Sequence, residues 1–352
     1  MAVSESPVFT ETFTVTSENP LLHGHVVYGR PLLPGVGYVD LVLQVLARHG
    51  HAMPDVELRN LTILAPLVAA PGERVRTTIE GRPSPRGGWR IEVRSRREQD
   101  AADVLHAVVA AHRREPAAFT ERLALPLDGV TGATPVTDIY RWCREHDLQH
   151  SGMMKISGQV HHRSGDWIAE LELAPEYHGT TEAFLFHPAL FEAGLLGGGI
   201  AIGMLHGDDD GPGLYLPLMF EEFRASGPLG KRVFVRVPAE SVRRDEELIR
   251  LVVEFYDETG RKVAEVGRFV AKRVRAQSSL DVREAQAPEP VSAPVAVAAP
   301  ASVPAAAGPA ADVVADAVRV GGGGDFVSVL RELVAVPLGR AAADVEVDLG
   351  YY

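Results

Sequence analysis

The sequence predicts an α+β fold in which a long apolar helix and several alternating strands occur twice along the chain. Helical periodicity begins after Gly35, where apolar side chains return repeatedly to one face. Segments with alternating apolar and polar residues follow, which is typical of strands with one buried face. The same succession starts again near Thr137. This pattern favours a helix covered by a curved antiparallel sheet, present twice.

The first half contains one predicted helix and a set of predicted strands. The helix covers residues 35–48, and Pro34 sets its start because a proline disfavours helical geometry in the residue before it. Four residues form its apolar face: Val36, Val39, Leu43 and Leu46. Strands are predicted at 75–80, 89–94 and 104–113.

The second half repeats this order with two predicted helices. One covers residues 137–148, and the other begins near Pro188, because proline is well tolerated in the first turn of a helix. Strands are predicted at 158–162, 167–173, 232–237, 248–256 and 262–270.

The composition disfavours several classes of protein. Apolar residues make up 46% of the 352 residues and charged residues 23%, which are ordinary globular values. The net charge of −12 disfavours a nucleic-acid partner, because phosphate binding requires clustered Lys and Arg. Cys143 is the only cysteine, which fits a packed structural thiol in a reducing cytoplasm. We expect no signal peptide and no membrane association, because no apolar run approaches the ~20 residues that span a bilayer.

The composition also divides the chain into four predicted segments. The two halves are assigned to residues 1–120 and 121–275, and an Ala/Pro/Gly-rich segment at 276–324 is interpreted as a linker. In residues 325–352 apolar side chains recur at helical spacing. Because a single helix cannot bury its apolar face alone, we expect 325–352 to be the start of a further domain.

His25 is the strongest candidate for a catalytic residue. It begins the run HVVYGRPLLPG, in which Gly29 permits a positive φ and Pro34 precedes the first helix. This run predicts a histidine at the mouth of a groove, near the free amides of a helix N-terminus. Histidine is a natural proton acceptor near neutral pH, and such amides stabilise a developing enolate oxygen. His23 is expected on the opposite side of the strand and is interpreted as structural.

The pattern His-x3-Gly-x4-Pro resembles the first active-site motif of polyketide synthase dehydratase domains. The surrounding run LLHGHVVYGRPLLPGVGYVDL is similar to that family, and the resemblance extends from residue 8 to about residue 275. It implies a double hot-dog fold, with two long helices each wrapped by a curved antiparallel sheet. It also implies that His25 is the base that deprotonates a carrier-bound acyl thioester, with Gly29, Pro34 and Gly35 in the substrate site.

The family places its acid on the central helix of the second half, in a run that resembles His-Pro-x-Leu-Leu-Asp-x3-Gln. This chain reads HPALFEAGLL from His187 to Leu196. Glu192 takes the position of the family aspartate, and Leu196 that of the Gln or His that holds the acid. Apolar neighbours lead us to expect a raised pKa for the Glu192 carboxyl. The alternative is a solvated helix residue. His187 is interpreted as structural.

Two further segments correspond to features of related synthases, and the first of them departs from the family pattern. The family run Tyr-Gly-Pro-x-Phe, which helps to line the substrate tunnel, falls on His150–Met154, where none of its identifying residues is kept. We therefore expect a reshaped tunnel with His150 as a candidate substrate contact; the alternative is a surface histidine at a helix end. Residues 325–352 resemble the start of an acyl carrier protein.

Three functions are compatible with these residues. The first is a hydro-lyase that removes water from a 3-hydroxyacyl thioester, with His25 as base and Glu192 as acid. The second is altered chemistry on an enoyl thioester: double-bond migration, oxa-Michael cyclisation or β-branching. The third is a non-catalytic spacer, which the complete His25 motif disfavours. The short predicted linker leaves no room for a reductase before the carrier, which strengthens the second function. Motif strength places dehydration first.

No bound cofactor or metal is expected. The sequence has no Walker loop, no dinucleotide-binding glycine fingerprint and no histidines at metal-site spacing. The resemblance implies that the phosphopantetheine arm of an acyl carrier protein presents the substrate. It also implies neighbouring polyketide synthase domains as partners and a homodimer, because family members are often dimers.

Overall fold

A computed structural model describes residues 7–85, 87–205, 214–245 and 247–274, and for 198–205 it describes the backbone alone. The predicted linker at 276–324 and the predicted carrier start at 325–352 lie outside the described residues.

Four α-helices lie within the described ranges: α1 (Pro20–His23), α2 (Gly37–Arg48), α3 (Val136–Glu145) and α4 (Pro188–Leu205). Helix α2 begins two residues later than predicted, because Pro34 to Gly37 first form a turn in which the Gly37 N–H donates to the Pro34 carbonyl (2.8 Å). Helix α3 ends before the predicted residue 148, since Asp147 adopts a φ of 60°, which reverses the chain direction.

The strands fall into a first and a second set along the chain. The first set is β1 (Phe9–Thr16), β2 (His25–Val27), β3 (Arg30–Pro31), β4 (Val56–Ile63), β5 (Arg74–Pro83), β6 (Trp89–Arg96) and β7 (Val104–Arg113). The second set is β8 (Gly132–Pro135), β9 (Leu148–His150), β10 (Ser157–His162), β11 (Asp166–Glu172), β12 (Leu214–Ala225), β13 (Arg232–Pro238), β14 (Arg243–Arg244), β15 (Leu248–Tyr256) and β16 (Lys262–Val274).

One antiparallel sheet of 13 strands contains most of them, in the order β1-β5-β6-β7-β4-β12-β16-β15-β13-β11-β10-β8, with β14 paired to β15. In this strand order the first-set strands lie on one side and the second-set strands on the other, whereas β2, β3 and β9 form a separate sheet. The two sides join where β4 pairs with β12, with Leu58 opposite Phe223. The α+β fold is the one that the sequence predicts.

Aromatic packing fixes the orientation of α4 in the second half. The buried ring of Phe191 meets Phe186 and Phe255 edge to face, with centroids 5.2 and 5.1 Å apart. Such pairs contribute about 0.5–1.5 kcal/mol beyond their area burial. Successive helical residues point about 100° apart. With Phe191 held among these rings, the side chain of Glu192 points away from them.

The described helices are too short or too polar to cross a membrane.

Candidate active site

A second, small sheet brings His25 and His150 together. It consists of β3, β2 and β9, and His25 lies directly opposite His150 in the antiparallel register of β2 and β9. Residues opposite each other in such a pair point to the same face, and the two imidazole centroids are 5.5 Å apart. The β2–β3 turn has Tyr28 and Gly29 at φ values of 48° and 74°, the left-handed geometry that two-residue hairpins favour.

The imidazole of His25 is held by the backbone of its own hairpin. The side chain is buried, and its Nδ1–H donates to the Leu32 carbonyl (3.1 Å). Because a carbonyl only accepts, this bond places the hydrogen on Nδ1 and makes Nε2 the free proton-accepting atom. Nε2 lies 3.5 Å from Oε1 of Glu192. His25 therefore has the tautomer and the direction of a base.

Glu192 projects from α4 to a position between the two histidines. It is only 4% exposed, so the alternative of a solvated helix residue is wrong. Its Oε1 lies 3.5 Å from Nε2 of His25 and 3.9 Å from Nε2 of His150. Burial raises the pKa of the Glu192 carboxyl, but the facing imidazoles of His150 and His25 lower it by more, to about 2.

This low pKa corrects the raised value expected from the sequence. That expectation rested on the apolar neighbours of Glu192 along α4, whereas both imidazoles come from the small sheet. Hydrogen bonding from the two imidazoles, and after it their charge, outweighs desolvation here. The structure therefore favours the ionised carboxylate in this arrangement.

His150 is a buried part of the site, so the alternative of a surface histidine is wrong. Its side chain is 0% exposed, and burial lowers its pKa. Neither of its ring nitrogens has a hydrogen-bond partner among the described residues. The ring of Tyr140 supports it from α3, with centroids 5.0 Å apart. Leu196 has no polar group, whereas Nε2 of His150 lies 3.9 Å from Oε1 of Glu192.

The other predicted site residues shape the surroundings. Leu196 lies one turn beyond Glu192 and packs against the hydrophobic core. Gly35 has no room for a side chain, because a Cβ would meet Ile63 Cδ1 at 2.6 Å and Pro217 Cβ at 2.8 Å. Pro34 is buried and Gly29 is exposed in its turn. Direct substrate contact by Gly29, Pro34, Gly35, His150 or Leu196 stays a prediction.

The geometry of two further residues suits the structural roles expected of them. His187 caps the start of α4, because its Nδ1 accepts the Ala189 N–H (3.3 Å). Its Nε2–H donates to Thr180 Oγ1 (2.9 Å). Burial lowers the pKa of His187 to about 4. Cys143 is a buried thiol whose pKa burial raises to about 12, so it stays in the unreactive thiol form.

Asp40 was not identified from the sequence, and it connects α2 to the segment that leads into α4. Its Oδ1 accepts the backbone N–H groups of Leu185 and Phe186, both at 2.8 Å. Gln44 donates to its Oδ2 (2.5 Å). Burial raises the pKa of Asp40 to about 6. The available signal was an acidic residue four positions after Val36, on the apolar face of the predicted helix.

Family models match both halves of the chain. One, described as polyketide synthase dehydratase domain, covers residues 1–96, and another, described as polyketide synthase dehydratase N-terminal domain, covers residues 118–281. Among curated proteins, polyketide synthases PksM and PksL of Bacillus subtilis are 33% and 31% identical over 98% and 97% of this chain. The chain spans only 8% and 7% of their lengths.

Solved structures show the same fold. A monomeric dehydratase domain from a trans AT polyketide synthase split module is 33% identical, with a TM-score of 0.70, over 75% of this chain and 98% of that one. An N-terminal dehydratase from the difficidin assembly line gives a TM-score of 0.68 at 22% identity, over 77% of this chain and 95% of that one.

Fold and site together define a double hot-dog domain with a buried histidine–carboxylate pair. The chain belongs to the polyketide synthase dehydratase domain family. It is a dehydratase-type domain of a modular polyketide synthase, as the sequence resemblance implies.

Proposed function

We propose that this domain removes water from a 3-hydroxyacyl thioester, with His25 as the base and Glu192 as the acid. The approach of His25 Nε2 to Glu192 Oε1, 3.5 Å inside a buried site, is the observation that carries this proposal. In the reaction His25 takes the α-proton, and Glu192 gives a proton to the β-hydroxyl as the C–O bond breaks. Water leaves, and a carbon–carbon double bond forms between the α- and β-carbons.

The proton count of the site supports this assignment despite the low pKa of Glu192. A protonated His25 facing an ionised Glu192 holds one proton, and so does a neutral His25 facing a protonated Glu192. The first state is also the one that the reaction leaves behind, since the base has gained a proton and the acid has lost one. Passing one proton from His25 to Glu192 when substrate enters therefore restores the reactive state.

His150 acts in this proposal as a positioning residue for the acid. The Glu192 side chain is one methylene longer than the family aspartate, and a misplacement of about 1 Å can cost ~100-fold in rate. His150 on β9 faces Oε1 of Glu192 with a polar ring, whereas Leu196 is apolar. We infer that this contact fixes the longer carboxylate where the shorter one stands in the family.

A second candidate is proton transfer on an enoyl thioester without water loss: double-bond migration, oxa-Michael cyclisation or β-branching. The observation that favours it is the position of Glu192 Oε1 between the two imidazoles, 3.5 Å from His25 Nε2 and 3.9 Å from His150 Nε2. These neighbours lower the pKa of the carboxyl to about 2 despite its burial, and an ionised carboxylate does not donate a proton to a hydroxyl. In such reactions His25 moves the proton and Glu192 stabilises its imidazolium form.

The two candidate functions are distinguished by which carrier-bound chain the domain converts. The domain is mixed with carrier protein that bears either a 3-hydroxyacyl or a 2-enoyl chain, and the intact carrier is weighed by mass spectrometry. We expect loss of water from the 3-hydroxyacyl carrier, and no such loss with His25→Ala. An unchanged 3-hydroxyacyl carrier would overturn the first candidate. An adduct mass in the enoyl sample would support the second candidate, as would a shifted double bond or a closed ring, which leave the mass unchanged and are detected by chromatography of the chain released from the carrier.

The carrier protein, its phosphopantetheine arm and the neighbouring synthase domains belong to the same proposal. Their support is the family assignment and the relatives PksM and PksL, which are polyketide synthases many times longer than this chain. The division into halves at 1–120 and 121–275, the linker at 276–324 and the carrier start at 325–352 remain proposals as well, as does a homodimer.

A further inference from the structure

His25, His150 and Glu192 together offer a set of metal-ligating atoms that the sequence does not suggest. One nitrogen from each histidine and one carboxylate oxygen all lie within 4.8 Å of one another, and all three residues are buried. Two imidazoles and one carboxylate are the ligand set of many zinc and non-haem iron centres. The three residues come from β2, β9 and α4, so their spacing along the chain has no metal-site pattern.

The separation between Glu192 and His25 is close to that between two ligands of a bound ion, and the separation between Glu192 and His150 is somewhat longer. Two ligand atoms about 2.1 Å from a tetrahedral zinc ion lie roughly 3.4 Å apart. Oε1 of Glu192 lies 3.5 Å from His25 Nε2 and 3.9 Å from His150 Nε2. His150 has to approach the other two atoms for its nitrogen to share a centre with them, since the three atoms lie within 4.8 Å of one another.

Unpartnered buried atoms point independently to a ligand at this position. Both ring nitrogens of His150 and Oε2 of Glu192 lack hydrogen-bond partners among the described residues. Buried polar groups in folded proteins nearly always have partners, so these exceptions call for a further ligand. A cation that binds His150 and Glu192 satisfies atoms on both residues.

The hydrogen bond of His25 has the form found behind metal ligands. Its Nδ1–H donates to the Leu32 carbonyl at 3.1 Å. Metal-bound histidines almost always donate their second ring N–H to a carbonyl, a carboxylate or water, which fixes the tautomer and directs the other nitrogen at the ion. His25 therefore presents Nε2 as a preformed ligand.

From these observations we propose that His25, His150 and Glu192 bind one divalent transition-metal ion of the zinc type, and that this binding inhibits the domain. The ion takes the lone pair of His25 Nε2 with which the base abstracts its proton. Metal and thioester thus compete for one site. The proposal rests on the ligand geometry and holds whether the domain removes water or rearranges an enoyl thioester.

Calorimetric titration of the metal-free chain with Zn²⁺ tests the binding step. We expect one Zn²⁺ per chain in a tight phase that is lost in His150→Phe and in Glu192→Gln. His161→Ala is the matched control, because His161 lies 3.1 Å from Glu170 in a partly exposed pair on β10 and β11. Loss of the tight phase in His161→Ala, or its retention in Glu192→Gln, would overturn the proposal.

Cobalt provides a second readout that does not depend on activity. Co²⁺ bound by two imidazoles and a carboxylate absorbs visible light, so we expect a band with the parent chain and none with His150→Phe. Thermal unfolding of each variant without metal verifies its fold, and Glu192→Gln, which keeps the side-chain size, is informative if His150→Phe fails to fold. A band of equal strength in Glu192→Gln would contradict the ligand assignment.

The inhibition step is measured separately with a carrier-bound thioester. We expect one equivalent of Zn²⁺ to stop conversion and a chelator to restore it. Conversion that continues with the tight site filled would overturn inhibition. Since the titration contains no thioester, absence of binding and absence of dehydration are distinct results.

Discussion

The two halves of this domain hold their reactive groups in opposite ways. In the first half, His25 precedes the central helix and is fixed by the backbone of its own hairpin, through the Leu32 carbonyl. In the second half, Glu192 lies within the central helix, and the imidazoles that face its carboxylate come from other elements. The base is thus held by a contact close in sequence, and the acid faces groups that are distant in sequence. We expect substitutions to affect the two differently.

The largest expected effect is the loss of the base. His25→Ala removes the proton acceptor, and general base catalysis contributes roughly 10²–10⁴-fold to a rate. We expect single-turnover conversion of a carrier-bound 3-hydroxyacyl thioester to slow by that factor, as measured by intact-protein mass spectrometry. His23→Ala, which changes an exposed histidine two residues away, is expected to leave the rate unaltered. A His25→Ala variant that reacts at the parent rate would show that His25 is not the base.

The next effect concerns the acid. Glu192→Gln keeps the size of the side chain but cannot give up a carboxyl proton, so we expect a loss of at least about 100-fold in the same assay. Glu192→Asp withdraws the carboxyl from His25 but preserves its chemistry, and we expect an intermediate rate. Glu145→Gln, an exposed change on α3, serves as the control. Full activity in Glu192→Gln would show that no acid is needed there.

A smaller effect is expected for the residue that positions the acid. His150→Phe preserves ring packing against Tyr140 but removes the polar neighbour of Glu192, and we expect roughly a 10–100-fold lower kcat from the misplaced carboxylate. KM is expected to change little. Gln149→Ala, an exposed change on the same strand, is the control. A raised KM with normal kcat would instead make His150 a substrate contact.

The smallest effect on the reaction is expected at Asp40, which holds the backbone ahead of α4 and does not face the acid; its main effect is expected on stability. Asp40→Ala leaves the buried N–H of Phe186 and the partly buried N–H of Leu185 without an acceptor, which costs about 1–3 kcal/mol in the free energy of unfolding. Asp40→Asn keeps an oxygen in the same place and is expected to lose less. Urea unfolding of both variants measures the difference. Equal stabilities of the two variants would contradict the role of this carboxylate as an acceptor.

Asp40 also gives this stability a pH dependence. Its pKa is about 6 in the folded domain against an ordinary value of 3.8, so the folded state binds the proton more tightly. Stability from this group is present below about pH 4 and falls as the pH rises toward about 6, because the unfolded chain has already lost the proton there. We expect Asp40→Asn to lack this decline.

The sequence predicted the local features of the fold better than the long-range ones. Helix α4 was expected from Pro188 onward, and the strands β5 to β7 were expected from alternation within each segment. Strands β1, β4 and β12 were not predicted from their alternation. Their pairing, such as that of β4 with β12, depends on residues far apart in the chain.

The site shows the same limit. His25 was predictable because Gly29 and Pro34 follow it within one short run. The environment of Glu192 was not, since the imidazole of His150 that faces it comes from β9, and Asp40, which holds the segment leading into α4, comes from α2. Apolar neighbours along α4 therefore gave the wrong direction for the pKa of Glu192. Burial alone raises that pKa, and the two histidines reverse it.

The central claim is that His25 and Glu192 act as base and acid on one substrate molecule. A double variant, His25→Ala with Glu192→Gln, tests it most directly when its single-turnover rate of water loss is compared with those of the two single variants. Residues that work as a unit have strongly non-additive effects. We predict that the double variant is no slower than His25→Ala alone. A loss equal to the product of the two single effects would contradict the pairing.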